Sequence, residues 1–416
     1  MQTRHSQPSS DGRACLEQAS VAAKKLLAYC QGDNWAGYDP YDALNSRLFK
    51  ALPLLDFKLF RLVFTQSLKR SPVNIRQLVL IPKTQNAKAI GLFLSASLNL
   101  RKAGMAGEDL PGQMVERLVA LRSQGIPYWC WGYSFPWQMR SKIVPAGAPN
   151  LVCTTFAADA LMNAYEQRHD PQCLTMAASA AEYILNELHW SEGGLEGFAY
   201  PLPTLRGQVY NANFLAAALF CRVYKHTGET RFLEPALRVT RYCAAQQRAD
   251  GSWLYGDGPT QGWVDNFHTG FNLGALRSIS QSLGTSEFES NIRLGFEFYI
   301  NHFFRRDGAP RYFHDRTYPI DIHCVAQSIL TLMEFQNLDS RALPLAQSVF
   351  GWAMDHMWDD RGFFYYRVLR SVTIRTPYMR WAQAWMLLAL SALVCELQAG
   401  CGDRQSQNSA AFVEAR

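Results

Sequence analysis

Asp265-Asn266-Phe267-His268-Thr269-Gly270-Phe271-Asn272-Leu273-Gly274-Ala275-Leu276 opens on polar groups and then runs into small and apolar residues. The same phrase comes round elsewhere, in Pro149-Asn150-Leu151 to Leu161, Val209-Tyr210-Asn211 to Leu219, Asp321-Ile322-His323 to Leu332 and Tyr378-Met379-Arg380-Trp381 to Leu390. The starts are spaced by roughly 54 to 60 residues. A fixed period of that size marks a repeat architecture, in which each unit buries its apolar face only against its neighbours.

These five segments, with Ala89 to Leu100, have no polar face, so each helix must be covered on every side. Amphipathic segments alternate with them: Leu54 to Ser71, Gly112 to Ser123, Gln172 to Leu188, Arg231 to Gln247, Glu287 to Phe304 and Arg341 to Met357. In Glu287 to Phe304, the residues Phe288, Ile292, Gly295, Phe296 and Tyr299 fall on one helical face. Six inner and six outer helices predict an all-α fold, an (α/α)6 toroid of six helical hairpins with a parallel inner ring lining a funnel. Turns such as Asp250-Gly251, Asp307-Gly308 and Arg361-Gly362 follow outer helices and lead into aromatic stretches. They predict short β-hairpin loops at one rim. The competing fold is a linear α-solenoid, whose repeats are usually shorter, about 34 to 47 residues. The domain reading is a disordered tail over 1–13, one toroid over 14–399 that starts with an amphipathic helix at 14–31, and a flexible polar tail over 400–416.

Bulk properties narrow the partners. The 416 residues are 48% hydrophobic with a net charge of +6, enough for a large core. Lys and Arg are scattered without a basic stripe, which argues against nucleic acid. The first 20 residues lack an apolar run, and no secretory signal is expected. The most apolar stretch, Trp381 to Val394, is interrupted by Gln383 and reads as a buried helix, so no membrane span is expected. Ten Cys without a CxxC pair read as buried thiols of a reducing compartment, which places the protein in the cytoplasm. No phosphate-loop, dinucleotide or nucleophile-elbow motif is present, and no metal-ligand spacing is found. No metal or cofactor is therefore expected.

If the inner ring is parallel, all inner N-termini gather at one end, where free N–H groups and helix dipoles favour anions. Asp265 and Asp321 hold matching places 56 residues apart, with His268 and His323 within the next turn. These four are the candidate acid–base groups, although both Asp residues also suit helix N-caps. Asn211, Asn266, Tyr378, Arg380 and Trp381 hold neighbouring places and are candidate substrate contacts. Arg380, between Met379 and Trp381, needs either an acidic partner or an anionic ligand. The stretch from Tyr128 to Trp137 holds six aromatics in ten positions. Trp131, Tyr133 and Trp137 there are candidate sugar-stacking platforms, with Gln138 and Arg140 as polar contacts. An aromatic plug of the toroid mouth is the alternative reading.

WVDNFHTGFNLGAL, YPIDIHCVAQSILTL, PYMRWAQAWMLLAL, and WCWGYSFPWQMR with PNLVCTTF resemble a family of bacterial proteins found with exopolysaccharide or capsule gene sets. That family belongs to the six-hairpin-glycosidase-like (α/α) toroids, and the resemblance covers roughly residues 30 to 400. Its members are sometimes named aminolevulinate dehydratase, which implies a β/α barrel; nothing here alternates strand and helix, so that chemistry is rejected. The resemblance implies a carbohydrate-active protein with an oligo- or polysaccharide ligand and partners in polysaccharide biosynthesis. A glycosidase-type hydrolase would use Asp265 and Asp321 as its carboxylate pair. A sugar epimerase or isomerase would use His268 and His323 on opposite faces, with Arg380 steadying an enolate. A uronate lyase would draw its base from Tyr378 or a His. A non-catalytic glycan-binding protein would keep the toroid without the chemistry. The expectation carried forward is the glycosidase type.

Overall fold

The computed structural model describes residues 10–139 and 142–414. Its helices, in chain order, are α1 (Ser10–Gly32), α2 (Arg47–Lys50), α3 (Lys58–Arg70), α4 (Ala87–Lys102), α5 (Leu110–Ala120), α6 (Leu151–Arg168) and α7 (Pro171–Tyr183). They continue as α8 (Tyr210–Thr227), α9 (Leu233–Ala245), α10 (Asn266–Leu283), α11 (Glu289–His302), α12 (Ile322–Glu334), α13 (Ala342–Met357) and α14 (Ala384–Glu414). Helices α4, α6, α8, α10, α12 and α14 form the inner ring, each packed on the next, and α14 returns to pack on α4. The circle closes, and the fold is the expected (α/α)6 toroid and not an open stack.

The outer wall differs from the expectation at one place. Helices α5, α7, α9, α11 and α13 pack on α4, α6, α8, α10 and α12, and the sixth outer helix is α1, packed on α14. The segment read as an outer helix over 54–71 is instead α3, which packs beside a short 3-10 turn at Asp42–Asn45 and against the rim. Amphipathicity shows that a helix has one covered face but not what covers it. The chain ends also depart from the tail reading. Helix α1 begins at Ser10, so 10–13 are helical, and α14 runs on to Glu414 across the segment read as a polar tail. Residues 1–9 and 415–416 of those tails lie outside the described residues.

The inner helices are apolar all round because both sides of the ring press on them. Leu92, Phe93, Leu94 and Ala96 of α4 are all buried, and Gly91 sits where an added Cβ would lie 2.9 Å from the Phe156 carbonyl of α6. Most inner helices start on a side-chain cap: Asn86, Asn150, Asp265 and Asp321 each accept from a backbone N–H of the first turn. The span Met379–Gly400 has the length and composition to cross a membrane, but 67% of its apolar 18-residue window is buried by the ring around it.

The rim carries the short strands. Strands β1 (Trp137–Gln138) and β2 (Ile143–Val144) pair, as do β3 (His189–Glu192) and β4 (Leu195–Phe198). Strand β5 (Ile320–Asp321) joins β8 (Arg367–Val368) and β9 (Thr373–Ile374), and β6 (Trp358–Asp359) pairs with β7 (Phe363–Phe364). The turn glycines 251, 308 and 362 have φ of +91°, +85° and +95°. A Cβ there would also strike the backbone of the next outer helix, at Leu294, Ser348 and Lys25 respectively. Each turn is thus pinned against its neighbour, the last of them onto α1.

Candidate functional site

A cavity of about 670 Å3 opens at the end of the ring where the inner helices begin. Each inner helix brings a residue from its first turns: Lys88 (α4), Val152 (α6), Asn211 (α8), His268 (α10) and His323 (α12). The last repeat contributes Arg380 and Trp381 from a π-turn, Met379–Gln383, that leads into α14. Such wide turns re-aim side chains and recur at functional sites. The floor is aromatic. The Phe156, Phe271 and Trp385 rings lie 5.3 to 5.5 Å apart, pair by pair. Phe271 faces this cavity and also a second one of about 550 Å3 at the opposite end. The trio is therefore a septum that makes the funnel blind.

Asp265 has two jobs. Its Oδ1 accepts from the His268 backbone N at 3.0 Å and caps α10. Its Oδ2 lies 2.7 Å from His268 Nδ1 and 2.9 Å from the donating Trp263 Nε1. Nδ1 is thus engaged by the carboxylate, and Nε2 is left as the nitrogen free for chemistry. Asp265 is 3% exposed and is the one Asp or Glu lining the cavity among the described residues.

His323 sits in an aromatic nest. Its ring is 4.5 Å from Phe267, 4.7 Å from Trp381 and 4.5 Å from Trp385, and neither ring nitrogen has a protein partner. Burial first, then the charges of Lys88, Arg380 and His268, holds it well below the usual histidine range. It is a neutral imidazole with an open lone pair, the form a general base needs. Phe267 lies between the two histidines, 4.2 Å from His268 and 4.5 Å from His323, so their rings are within about 9 Å of each other. Both rings also line the same cavity.

Two basic side chains complete the floor and wall. Lys88 is 4% exposed, and its Nζ lies 4.0 Å from the Phe156 ring, 5.3 Å from Trp385 and 5.6 Å from Phe271. Burial, then the Arg380 charge, holds this amine well below the usual lysine range. Arg380 is fixed by Asp39, with Nε to Oδ2 at 2.6 Å and Nη2 to Oδ1 at 2.9 Å. Its guanidinium lies 4.8 Å from the Tyr133 ring. Of the two alternatives anticipated for Arg380, the acidic partner is present, and the side chain also lines the cavity.

The remaining candidates divide. Tyr133, Trp137, Asn211, Arg380 and Trp381 line the cavity with Asp265, His268 and His323. Asp321 does not. It is fully buried, caps α12 through His323 N, accepts from Trp381 Nε1 at 2.9 Å and is paired with Arg367, whose Nε is 2.8 Å away. The β5–β8 register sets Arg367 directly opposite it. Trp131 is wholly buried and donates to the Leu118 carbonyl at 2.8 Å. Gln138 accepts from Arg61 Nε at 2.7 Å on the rim. Asn266 bonds Ser328 and the Tyr299 hydroxyl behind the ring. Tyr378 packs against Arg76 and Tyr366. Arg140 lies outside the described residues.

Sequence reasoning missed Lys88, Lys69, Arg70 and Trp263, and placed Tyr200 and Tyr255 only within aromatic stretches at the rim; all six line the cavity. Tyr255 stacks on Trp263 at 4.5 Å and 17°, and meets His268 at 4.8 Å, so it supports the acid–base group from the side. A signal the sequence offered was Lys88 itself, a lone charge at the head of an otherwise apolar helix.

No known family model matches the chain, and no curated protein matches it in sequence. Solved structures do match its fold. Cellobiose 2-epimerase from Bacillus thermoamylovorans superposes with a TM-score of 0.59 at 10% identity, covering 74% of this chain and 87% of the epimerase. Unsaturated glucuronyl hydrolase from Streptococcus agalactiae gives 0.59 at 11%, covering 91% of each chain. An alpha-mannanase from Bacteroides thetaiotaomicron gives 0.58 at 12%, covering 74% of this chain and 85% of that one. At such identities the likeness is one of fold, and all three share the toroid found here.

Proposed function

We propose that this protein is a carbohydrate-active enzyme that moves a proton at a sugar carbon, an epimerase or isomerase working through His323 and His268. The observation that carries the reading is the pair itself. A neutral, unpartnered imidazole and a carboxylate-oriented imidazole flank one aromatic ring at the cavity floor. His323 takes the proton from the carbon next to the sugar carbonyl. The electron pair moves onto the carbonyl oxygen as an enolate, which Arg380 and the ring of helix N-termini stabilise. His268, oriented at Nδ1 by Asp265, gives a proton carried on Nε2 to the other face, so a turnover leaves His323 protonated and His268 deprotonated at Nε2, and solvent resets the pair. Tyr133, Trp137 and Trp263 offer faces on which sugar rings stack.

The glycosidase-type reading is weaker on this geometry. Two-carboxylate hydrolysis needs a facing pair about 5 to 10 Å apart, and Asp321 spends both oxygens on its cap, Trp381 and Arg367. A uronate lyase using Tyr378 meets the same difficulty, since Tyr378 is buried and does not line the cavity. We take the substrate to be a free or reducing-end sugar serving exopolysaccharide assembly in the cytoplasm, in line with the family resemblance. Incubating the protein with a panel of reducing mono- and disaccharides and following interconversion by chromatography tests the reading. His323→Asn and His268→Asn are expected to abolish conversion while leaving the melting temperature near wild type. Hydrolysis products instead of epimers, or full activity in both variants, would overturn it.

A further inference from the structure

The segment 46–83, from which α2 and α3 arise, gathers the chain's surplus charge and its exposed apolar side chains. It carries eight Lys and Arg against one Asp, a net +7 in a chain whose whole net is +6, so the rest of the protein is close to neutral. Nine of the sixteen large hydrophobic residues exposed among the described residues fall between Leu48 and Leu80. Leu54 is 93% exposed, and Leu78 is 78% exposed. Leu59 and Val63 point outward from one face of α3, at i and i+4. Arg47, Lys50, Lys58 and Arg70 stand exposed beside them, and none has an acidic partner.

Among these side chains Phe57 meets Phe60 at 6.0 Å, but the segment is held in place chiefly by others. That work is done by stacked Phe49, Phe60 and Phe64 rings, 5.8 to 5.9 Å apart, and by the buried Arg76–Asp42 ion pair. The segment is thus anchored from below and presents a mixed apolar and basic upper surface. A protein partner favours an aromatic contact with few lysines. Single aliphatic side chains set between cations suit the boundary of an anionic bilayer, where the chains enter the headgroup layer and the cations meet lipid phosphates.

We infer that this segment docks the protein on an anionic lipid surface, with the cavity mouth beside the membrane. Lys69 and Arg70, at the end of α3, line that cavity, so the docking surface and the entrance are one piece of chain. A sugar carried on a membrane lipid could then reach the funnel without leaving the bilayer. The inference is independent of the chemistry proposed above.

Sedimentation of the full chain with phosphatidylcholine vesicles, with and without one part in three of phosphatidylglycerol, tests it. Binding to the anionic vesicles only, weakening as salt is raised, is the expected result. At about fivefold per charge, Lys50→Ala/Lys58→Ala weakens it about 25-fold. Leu54→Ser/Phe57→Ser weakens it at least as far, and far-UV circular dichroism shows both variants folded. Failure to bind, equal binding to neutral vesicles, or unchanged binding in the variants would overturn the inference. So would concentration-dependent self-association that Leu54→Ser/Phe57→Ser abolishes while vesicles stay unbound, which would assign the patch to a second copy of the chain.

Discussion

His268 Nδ1 lies 2.7 Å from Asp265 Oδ2, and the same carboxylate accepts the His268 backbone N at 3.0 Å. One side chain thus sets both the start of helix α10 and the orientation of the imidazole that follows it. Cap and function, which compete as explanations of an Asp at a helix start, are here the same residue.

Replacing Asp265 by Asn separates the two roles. Asn caps a helix about as well as Asp, so the melting temperature should move little. The imidazolium loses its counter-charge, and turnover should fall by roughly 100-fold or more. Steady-state kinetics beside a thermal melt checks this. A stable variant with normal turnover would remove Asp265 from the chemistry.

Asp321 should behave in the opposite way. Asp321→Asn keeps the cap but leaves Arg367 buried beside a neutral group, and breaking one side of such a pair costs about 3 to 5 kcal/mol. Urea unfolding should show that loss. The double variant Asp321→Asn/Arg367→Met should recover part of it. Activity per folded molecule is expected to change far less than in Asp265→Asn.

His323 links stability to pH. Its folded-state pKa is held well below the ordinary 6.5, so the unfolded chain takes up a proton first as pH falls. The contribution is fully present above about pH 6.5 and is lost as pH drops towards the folded-state value. The slope approaches about 1.4 kcal/mol per pH unit between those limits. His323→Phe, which suits the aromatic nest, should flatten that limb in chemical denaturation between pH 6.5 and 4.5, a range set by the usual histidine value. An unchanged slope would show that other groups dominate it.

Lys88 is a buried amine with aromatic rings for company. Lys88→Met removes a desolvated amine and fills the same space, so stability should hold or rise by about 1 kcal/mol. Conversion of sugar should fall at least tenfold if the amine contacts the reacting oxygen. A loss of stability with normal turnover would make Lys88 a structural residue.

The fold was legible because period is a local property. Apolar helices such as Ala89–Leu100, repeated with polar starts, announce an inner ring whatever their partners are. The parts misread depend on contacts distant in sequence. Only the closed circle shows that α1 covers α14 and that α3 lies on the rim. Asp265 and Asp321 look alike in sequence, and their difference lies in Arg367, which strand pairing brings to Asp321 and not to Asp265. The Arg380–Asp39 pair spans 341 residues and so has no local signature, although an Arg between Met379 and Trp381 already demanded a partner. Tyr255 and Trp263 sit in rim loops, where neither helical nor strand periodicity marks a residue as facing a cavity.

The central claim is proton transfer at a sugar carbon between His323 and His268. Running the reaction in deuterium oxide and reading the product by proton NMR tests it most directly. The account predicts loss of the proton signal at the carbon next to the carbonyl in wild type, and none of that exchange in His323→Asn. Product that forms with every carbon-bound proton retained would contradict it.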